Sequence, residues 1–504
     1  MQKILLAFSL LYFFNAGYGQ RITYLEKHRP QFHFSPPAHW MNDPNGMVYY
    51  KGEYHLFYQF YPDSSVWGPM HWGHAISKDL LHWQHLPIAL FPDSLGYIFS
   101  GSVVVDNNNT SGFQNGVEKP LVAIFTYHNM TGEKNGRSDF QTQGIAYSID
   151  KGRSWKKYEM NPVISNPGSK DFRDPKVMWY EASKNWIMTL AVANQVQFYR
   201  SVDLKRWELC GSFGLQDGSH AGVWECPDLF QLTTEDKKSS KWILLVSIGN
   251  GAPNGGSGTQ YFVGNFDGKT YTNDHPPQKT LWLDYGCDNY AGVTWSNTSD
   301  KRRIFLGWMS NWQYAQKVPT ETWRSAMTLP RELNLIKKNG AFRINTIPAK
   351  EVAQLRSVKL PIDFLSKNEH SIGITEIDIS FSLAALVDRD FGLELSNKVG
   401  EKFRIGYDQI KNSFYTDRSL ASKSEFSTAF PTTHFAPRKD TGNLIHLQIF
   451  IDKSSVEMFA DGGSVVMTDI FFPTEDFSLI RSYSNNGNAP IVDGKLFELK
   501  SIWK

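Results

Sequence analysis

Three acidic residues in this chain stand just ahead of a proline, each beside a tryptophan or an arginine. They are Asp43 in "HWMNDPNG", Asp174 in "FRDP" and Glu225 in "WECP". Turn chemistry accounts for Asn42, Pro44, Asn45 and Gly46. It gives no reason to set an aspartate directly after Trp40 and Met41. One such acid is an ordinary turn residue. Three at matching places call for another explanation, because acids brought together repel and resist desolvation. Carboxylates gathered at an aromatic-rich pocket suit the cleavage of glycosidic bonds. One carboxylate attacks the sugar and another exchanges the proton. A third stabilises the positive charge that a furanosyl ring carries in the transition state.

The elements around the acids are strands. Each proline heads an apolar or aromatic run, then a polar turn, then a second run, which is the pattern of a hairpin. "GMVYYKGEYHLFYQF" turns at Lys51-Gly52, and "PKVMWYEASKNWIMTLAV" turns near Ser183–Asn185. Similar pairs lie in 100–128, 227–249 and 289–309, making five hairpins. A second repeat is a Ser-x-Asp turn followed by tryptophan: Ser77, Asp79, Trp83; Ser148, Asp150, Trp155; Ser201, Asp203, Trp207. Self-similarity at this period predicts a propeller. Proline is tolerated at the first residue of a strand, where no ladder donor is needed. Equivalent strand starts on different blades lie at one end of the channel, so the three acids are expected to converge there.

Beyond "NTIPAKEVAQLRS" the pattern changes. Pro348 is expected to open a short helix with Val352 and Leu355 among its apolar positions. Short alternating runs follow, as in a β-sandwich. The fold class read from this order is all-β: a five-bladed β-propeller over 25–340, a linker with a short helix over 341–357, and a C-terminal β-sandwich over 358–504.

The chain has 504 residues and a net charge of +2, which gives no general attraction to nucleic acid or an anionic membrane. The apolar run Ile4–Phe14, with Gly17 and Gly19 after it, fits a secretory signal over 1–19 and is too short to span a bilayer. A secreted protein, extracellular or periplasmic, without a membrane anchor is expected. Cys210, Cys226 and Cys287 make no disulfide framework. His71, His74, His82 and His85 cluster near Trp72 and Trp83, but no carboxylate completes a ligand set, so no metal is expected. "GNGAPNGGSG" lacks the Lys-Ser/Thr of a phosphate loop, and there is no Gly-x-Ser-x-Gly elbow. No cofactor is expected.

The ordered set "WMNDPNG", "FSGS", "FRDP" and "WECPDL" resembles glycoside hydrolase family 32, the β-fructofuranosidases. The likeness continues through "SNWQYAQKVPTETWRSAMTLPREL" and "DKSSVEMF", so it covers nearly the whole mature chain. The resemblance implies a propeller followed by a sandwich. It also implies roles: Asp43 as nucleophile, Glu225 as acid/base and Asp174 as transition-state stabiliser. Asn42, Gln59, Trp67, Phe99, Ser100 and Arg173 match sugar-binding positions, and Trp312 is a weaker match. The motifs look most like those of microbial exo-levanases and exo-inulinases. The substrates implied are levan, inulin and sucrose. The alternatives are an invertase restricted to sucrose, a fructosyltransferase, or a fructan-binding lectin without turnover.

Overall fold

A computed structural model of the chain describes residues 23–361, 370–383, 390–422, 424–485, 489 and 491–503. The expected signal segment lies outside the described residues. The first part of the chain forms five antiparallel sheets. Their innermost strands are His39–Tyr50, Tyr97–Val105, Phe172–Tyr180, Trp224–Thr233 and Tyr290–Thr294. Each contacts the next, and the fifth contacts the first, so the ring of blades is closed. Closure is reinforced where Trp323–Arg324, from the connection between Ile304–Met309 and Arg331–Lys338 of the fifth blade, pairs in parallel with His39 and Trp40.

The repeated turns have a common cause. In the first three blades the serine hydroxyl donates to the aspartate two residues on, at 3.0, 2.6 and 3.2 Å. The same aspartate oxygen accepts two backbone N–H groups of the turn. The indole of Trp83, Trp155 or Trp207 then closes the turn on a backbone carbonyl, at 3.1, 3.1 and 3.0 Å. Each motif therefore satisfies its own loop donors and ties the outermost strand to its blade.

The prolines sit differently from the expectation. They do not open the strands but lie inside them, where pairing breaks. The register shifts between Met41 and Pro44 in the first blade and between Glu225 and Asp228 in the fourth. In the third it shifts between Arg173 and Lys176, opposite Thr189 and Ala191. A bulge leaves residues unpaired, so it tolerates a proline and re-aims a neighbouring side chain. Asp174 and Cys226 take the left-handed conformation there, with φ of 65° and 46°. The second blade breaks between Ile98 and Gly101 and the fifth between Tyr290 and Val293. All five inner strands thus carry an irregularity at the same end, and those five places frame the site.

The segment 341–357 also differs from the expected linker. Ala341–Pro348 is a strand paired along its length with Arg331–Lys338, so it completes the fifth sheet. Pro348 ends that strand instead of opening a helix. The helical turn is the 3₁₀ segment Lys350–Leu355, with Val352 and Leu355 buried as expected. Two six-stranded antiparallel sheets follow and form the sandwich. Their facing sides enclose an apolar core that includes Ile377, Leu393, Phe403, Ile449 and Met458.

The sandwich is packed on the propeller. Leu329, Val352 and Leu355 meet Phe450, Phe459 and Val466 in one apolar cluster. Beside it Arg331 is fully buried, donating to Glu457 through Nε at 3.0 Å and to Asp284 at 2.7 Å. His33 lies between Asp452 and Glu457, at 2.8 Å from each. Arg418 of the sandwich donates to Asp288 of the propeller at 2.7 Å.

Candidate active site

Four of the five irregular strand segments line a pocket of about 300 Å³, and Tyr290 of the fifth bonds Glu225 beside it. Its lining includes every residue singled out from the sequence: Asn42, Asp43, Gln59, Trp67, Phe99, Ser100, Arg173, Asp174, Glu225 and Trp312. The volume is at the low end for ligand sites, so it suits a small unit such as a single sugar ring.

The first blade explains the residues ahead of Asp43. Trp40 is fully buried, and its indole N–H donates to Asn42 Oδ1 at 2.6 Å. That bond fixes which way the amide points, so Asn42 Nδ2 donates to Asp43 Oδ1 at 2.9 Å. Ser100 from the second blade donates to the other oxygen, Oδ2, at 2.8 Å. Asp43 is therefore held by donors on both oxygens. Burial pushes its carboxyl above the usual range and the charge of Glu225 adds to this, while Asn42 and Ser100 work against it.

The third and fourth blades supply the other two acids. Burial lifts Asp174 to about 7; Arg173 opposes that rise, and the charges of Glu225 and Asp43 add to it. Its Oδ2 accepts the backbone N–H of Cys226 at 3.0 Å, and its own N–H donates to Thr126. Arg173 donates from Nε and Nη2 to Glu225 Oε1, at 3.0 and 2.8 Å, and from Nη1 to Asp171 at 2.6 Å. The Tyr290 hydroxyl donates to Glu225 Oε2. Burial and the Glu225 charge hold that phenol far above its usual range, so it remains a donor.

Cys226 ties the acids together. Its Sγ lies 3.7 Å from Asp43 Oδ2 and 3.6 Å from Asp174 Oδ2. Burial and the surrounding carboxylates push the thiol well above its usual range, so it stays neutral. Of the three acids only Glu225 is bonded to a cation, Arg173; Asp174 feels that charge without a direct bond. Gln59 is buried with its Nε2 unpartnered, leaving a donor for a ligand hydroxyl. The aromatic walls are Trp67 and Phe99, with ring centres 6.2 Å apart, and Trp312, which stacks on Trp40 at 5.9 Å. These groups could hold the hydroxyls and the apolar face of a sugar while two carboxylates act on its acetal carbon.

Sequence reading missed Tyr290, Asp171, His128, Glu133, Phe140 and Gln141. Tyr290 had a usable signal: it occupies, in the fifth hairpin, the place that Glu225 occupies in the fourth. His128 and Glu133 lie at the end of a strand and in the loop after it, outside the repeat. The four singled-out histidines are scattered. His74 is buried, stacked on Phe57 at 4.0 Å and 3.1 Å from the ring of His55. His82 pairs with Asp79, His85 approaches Tyr24, and His71 meets the carbonyl of Pro69.

Comparison with known proteins agrees with this geometry. The model of the glycosyl hydrolases family 32 N-terminal domain matches residues 33–345, and that of the family 32 C-terminal domain matches 347–498. A levanase of Bacillus subtilis is 48% identical over 515 residues, which cover 99% of this chain and 75% of the levanase. An extracellular exo-inulinase of Aspergillus awamori is 37% identical over 540 residues, 100% of this chain and 99% of that protein. The crystal structure of exo-inulinase from A. awamori superposes with a TM-score of 0.88 at 35% identity, covering 95% of this chain and 100% of that one. With both family domains matched in order over nearly its whole length, the chain belongs to glycosyl hydrolase family 32.

Proposed function

We propose that the protein is a secreted retaining β-fructofuranosidase. It removes terminal β-D-fructofuranosyl units from levan or inulin and cleaves sucrose. Asp43 attacks the anomeric carbon of the fructosyl unit and forms an ester bond to it. The bond from that carbon to the leaving oxygen breaks, and Glu225 gives its proton to that oxygen. Glu225 then takes a proton from water, the water oxygen attacks the same carbon, and the ester to Asp43 breaks. Asp174 stabilises the positive charge of both transition states and holds ring hydroxyls.

The observation that carries this reading is the convergence of Asp43, Asp174 and Glu225, from three blades, on one pocket with Arg173 bonded to Glu225. The pocket size supports an exo-acting enzyme that admits a chain end. The names of the similar levanase and exo-inulinases support fructan as substrate and an extracellular location. The test is chromatography of products at low conversion from levan, inulin and sucrose. Fructose should be the sole early product from the polymers, and sucrose should yield fructose and glucose. A ladder of oligosaccharides would rule out exo action. Cleavage of sucrose with inert polymers would reduce the protein to an invertase, and binding without release to a lectin.

A further inference from the structure

Five pocket residues lie outside the set that holds the fructosyl unit: His128, Glu133, Phe140, Gln141 and Asp171. Asp171 is committed to Arg173. Phe140 packs edge-on against His128, and Gln141, His128 and Glu133 form a relay with a fixed direction. The backbone N–H of Phe172 donates to Gln141 Oε1 at 2.7 Å, which assigns the amide orientation. Gln141 Nε2 therefore donates to His128 Nδ1 at 3.2 Å. With Nδ1 accepting, the imidazole proton sits on Nε2 and points to Glu133 Oε2 at 3.0 Å. His128 is buried against Phe99, with ring centres 4.2 Å apart, and burial lowers its basicity, so it stays neutral.

The relay therefore ends by donating to one oxygen of Glu133, Oε2. Its side chain is 39% exposed, whereas that of His128 is 5% exposed. It stands on the short helix Met130–Lys134, beyond the end of a blade strand and outside the ring of inner strands. That places it at the open side of the pocket. Its Oε1 has no hydrogen-bond partner among the described residues. Glu133 thus lines the same pocket as Asp43 and Glu225 while keeping an exposed carboxylate, so it is placed to meet what is joined to the fructosyl unit.

We propose that Glu133 is the specificity-determining residue for the leaving group, accepting hydroxyl hydrogen bonds from the sugar attached to the departing fructosyl unit. His128 and Gln141 act through it as positioning residues. This rests on the β-fructofuranosidase reading above. A hydrogen bond to a charged group is strong enough to discriminate a hydroxylated leaving group from one without hydroxyls.

The experiment compares wild type, Glu133→Ala and Glu133→Gln on 1-kestose, sucrose and p-nitrophenyl β-D-fructofuranoside. The aryl leaving group offers no hydroxyl to the carboxylate. In Glu133→Ala, kcat/KM should fall roughly tenfold more on 1-kestose and sucrose than on the aryl fructoside. The loss should appear mainly in KM, and Glu133→Gln should recover part of it. Equal losses on all three substrates would make Glu133 merely structural and overturn the proposal, as would no loss. Wild-type protein that releases fructose from none of them would instead sink the fructofuranosidase reading on which the proposal stands.

Discussion

Carboxylates are buried in two regions of this molecule, and the two regions treat them in opposite ways. At the seam between propeller and sandwich, Arg331 faces Asp284 and Glu457, His33 faces Asp452 and Glu457, and Arg418 faces Asp288. Glu457 shows the result: burial alone would raise it, but Arg331 and His33 hold it down to about 2. In the pocket the guanidinium of Arg173 bonds Glu225 but not Asp43 or Asp174, and burial lifts Asp174 to about 7. The fold can hold a buried acid ionised, as it does at Glu457, although burial still lifts Asp288 above the usual range against Arg418. Leaving acids under-compensated in the pocket marks that region as the one built for chemistry.

The contrast predicts effects of different kinds. Replacing a pocket acid should abolish turnover and leave the fold intact. Asp43→Ala or Glu225→Ala should lower kcat by on the order of 10⁴-fold or more, since each removes a chemical step. Circular dichroism should be unchanged. Glu225→Ala should regain part of the loss on aryl fructosides, whose leaving groups need less protonation. Near-native turnover by Asp43→Ala would remove its assignment as nucleophile and, with it, half of the comparison.

Replacing a seam cation should do the reverse. Arg331→Met leaves Asp284 and Glu457 buried without their shared partner, a change that costs about 3–5 kcal/mol. The denaturant midpoint should drop, while fructose release per folded molecule holds. A midpoint like that of wild type would show that the seam acids do not depend on their cations.

Much of this architecture is legible in the sequence because propellers repeat. The hairpins, the Ser-x-Asp turns and the acids before proline all recur, and recurrence places Asp43, Asp174 and Glu225 at one rim. Two kinds of information are missing. The bulges that aim the acids depend on backbone register, which residue types signal only indirectly: a proline fits a strand start as well as a bulge. The seam depends on pairs such as Arg331 with Glu457 and Arg418 with Asp288, separated by more than a hundred residues. A single buried arginine reads like any surface charge until its partner is known. His128 and Glu133 were missed for a third reason: they belong to an irregular loop that has no counterpart in the other blades.

Tyr290 sits between the two regimes, a neutral donor on Glu225, the proposed acid/base. Tyr290→Phe removes a single hydrogen bond to Glu225 and leaves the ring packing in place. A bond to a charged group contributes about 1.5–3 kcal/mol, so kcat should fall roughly 10- to 100-fold. A kcat like that of wild type would make Tyr290 a packing residue.

The smallest effect tests the electrostatic claim most directly. Asp174 titrates near 7 in the folded protein because it is buried and beside Glu225 and Asp43, with Arg173 opposing the rise. In the unfolded chain an aspartate titrates near 4. Between these values the folded state binds the extra proton, so stability should fall as pH rises from about 4 to about 7 and level off above. Asp174→Asn removes the ionisable group at nearly constant shape. The variant should match wild type at pH 4 and exceed it at pH 8. The ceiling for a shift of this size is about 4 kcal/mol; a gain of order 1 kcal/mol is expected, since the clustered acids share the titration. Urea unfolding at the two pH values measures it, and activity of the same variant should be strongly reduced. Equal stability at both pH values would mean that Arg173 neutralises the pocket as fully as Arg331 neutralises the seam, erasing the distinction between the two regions.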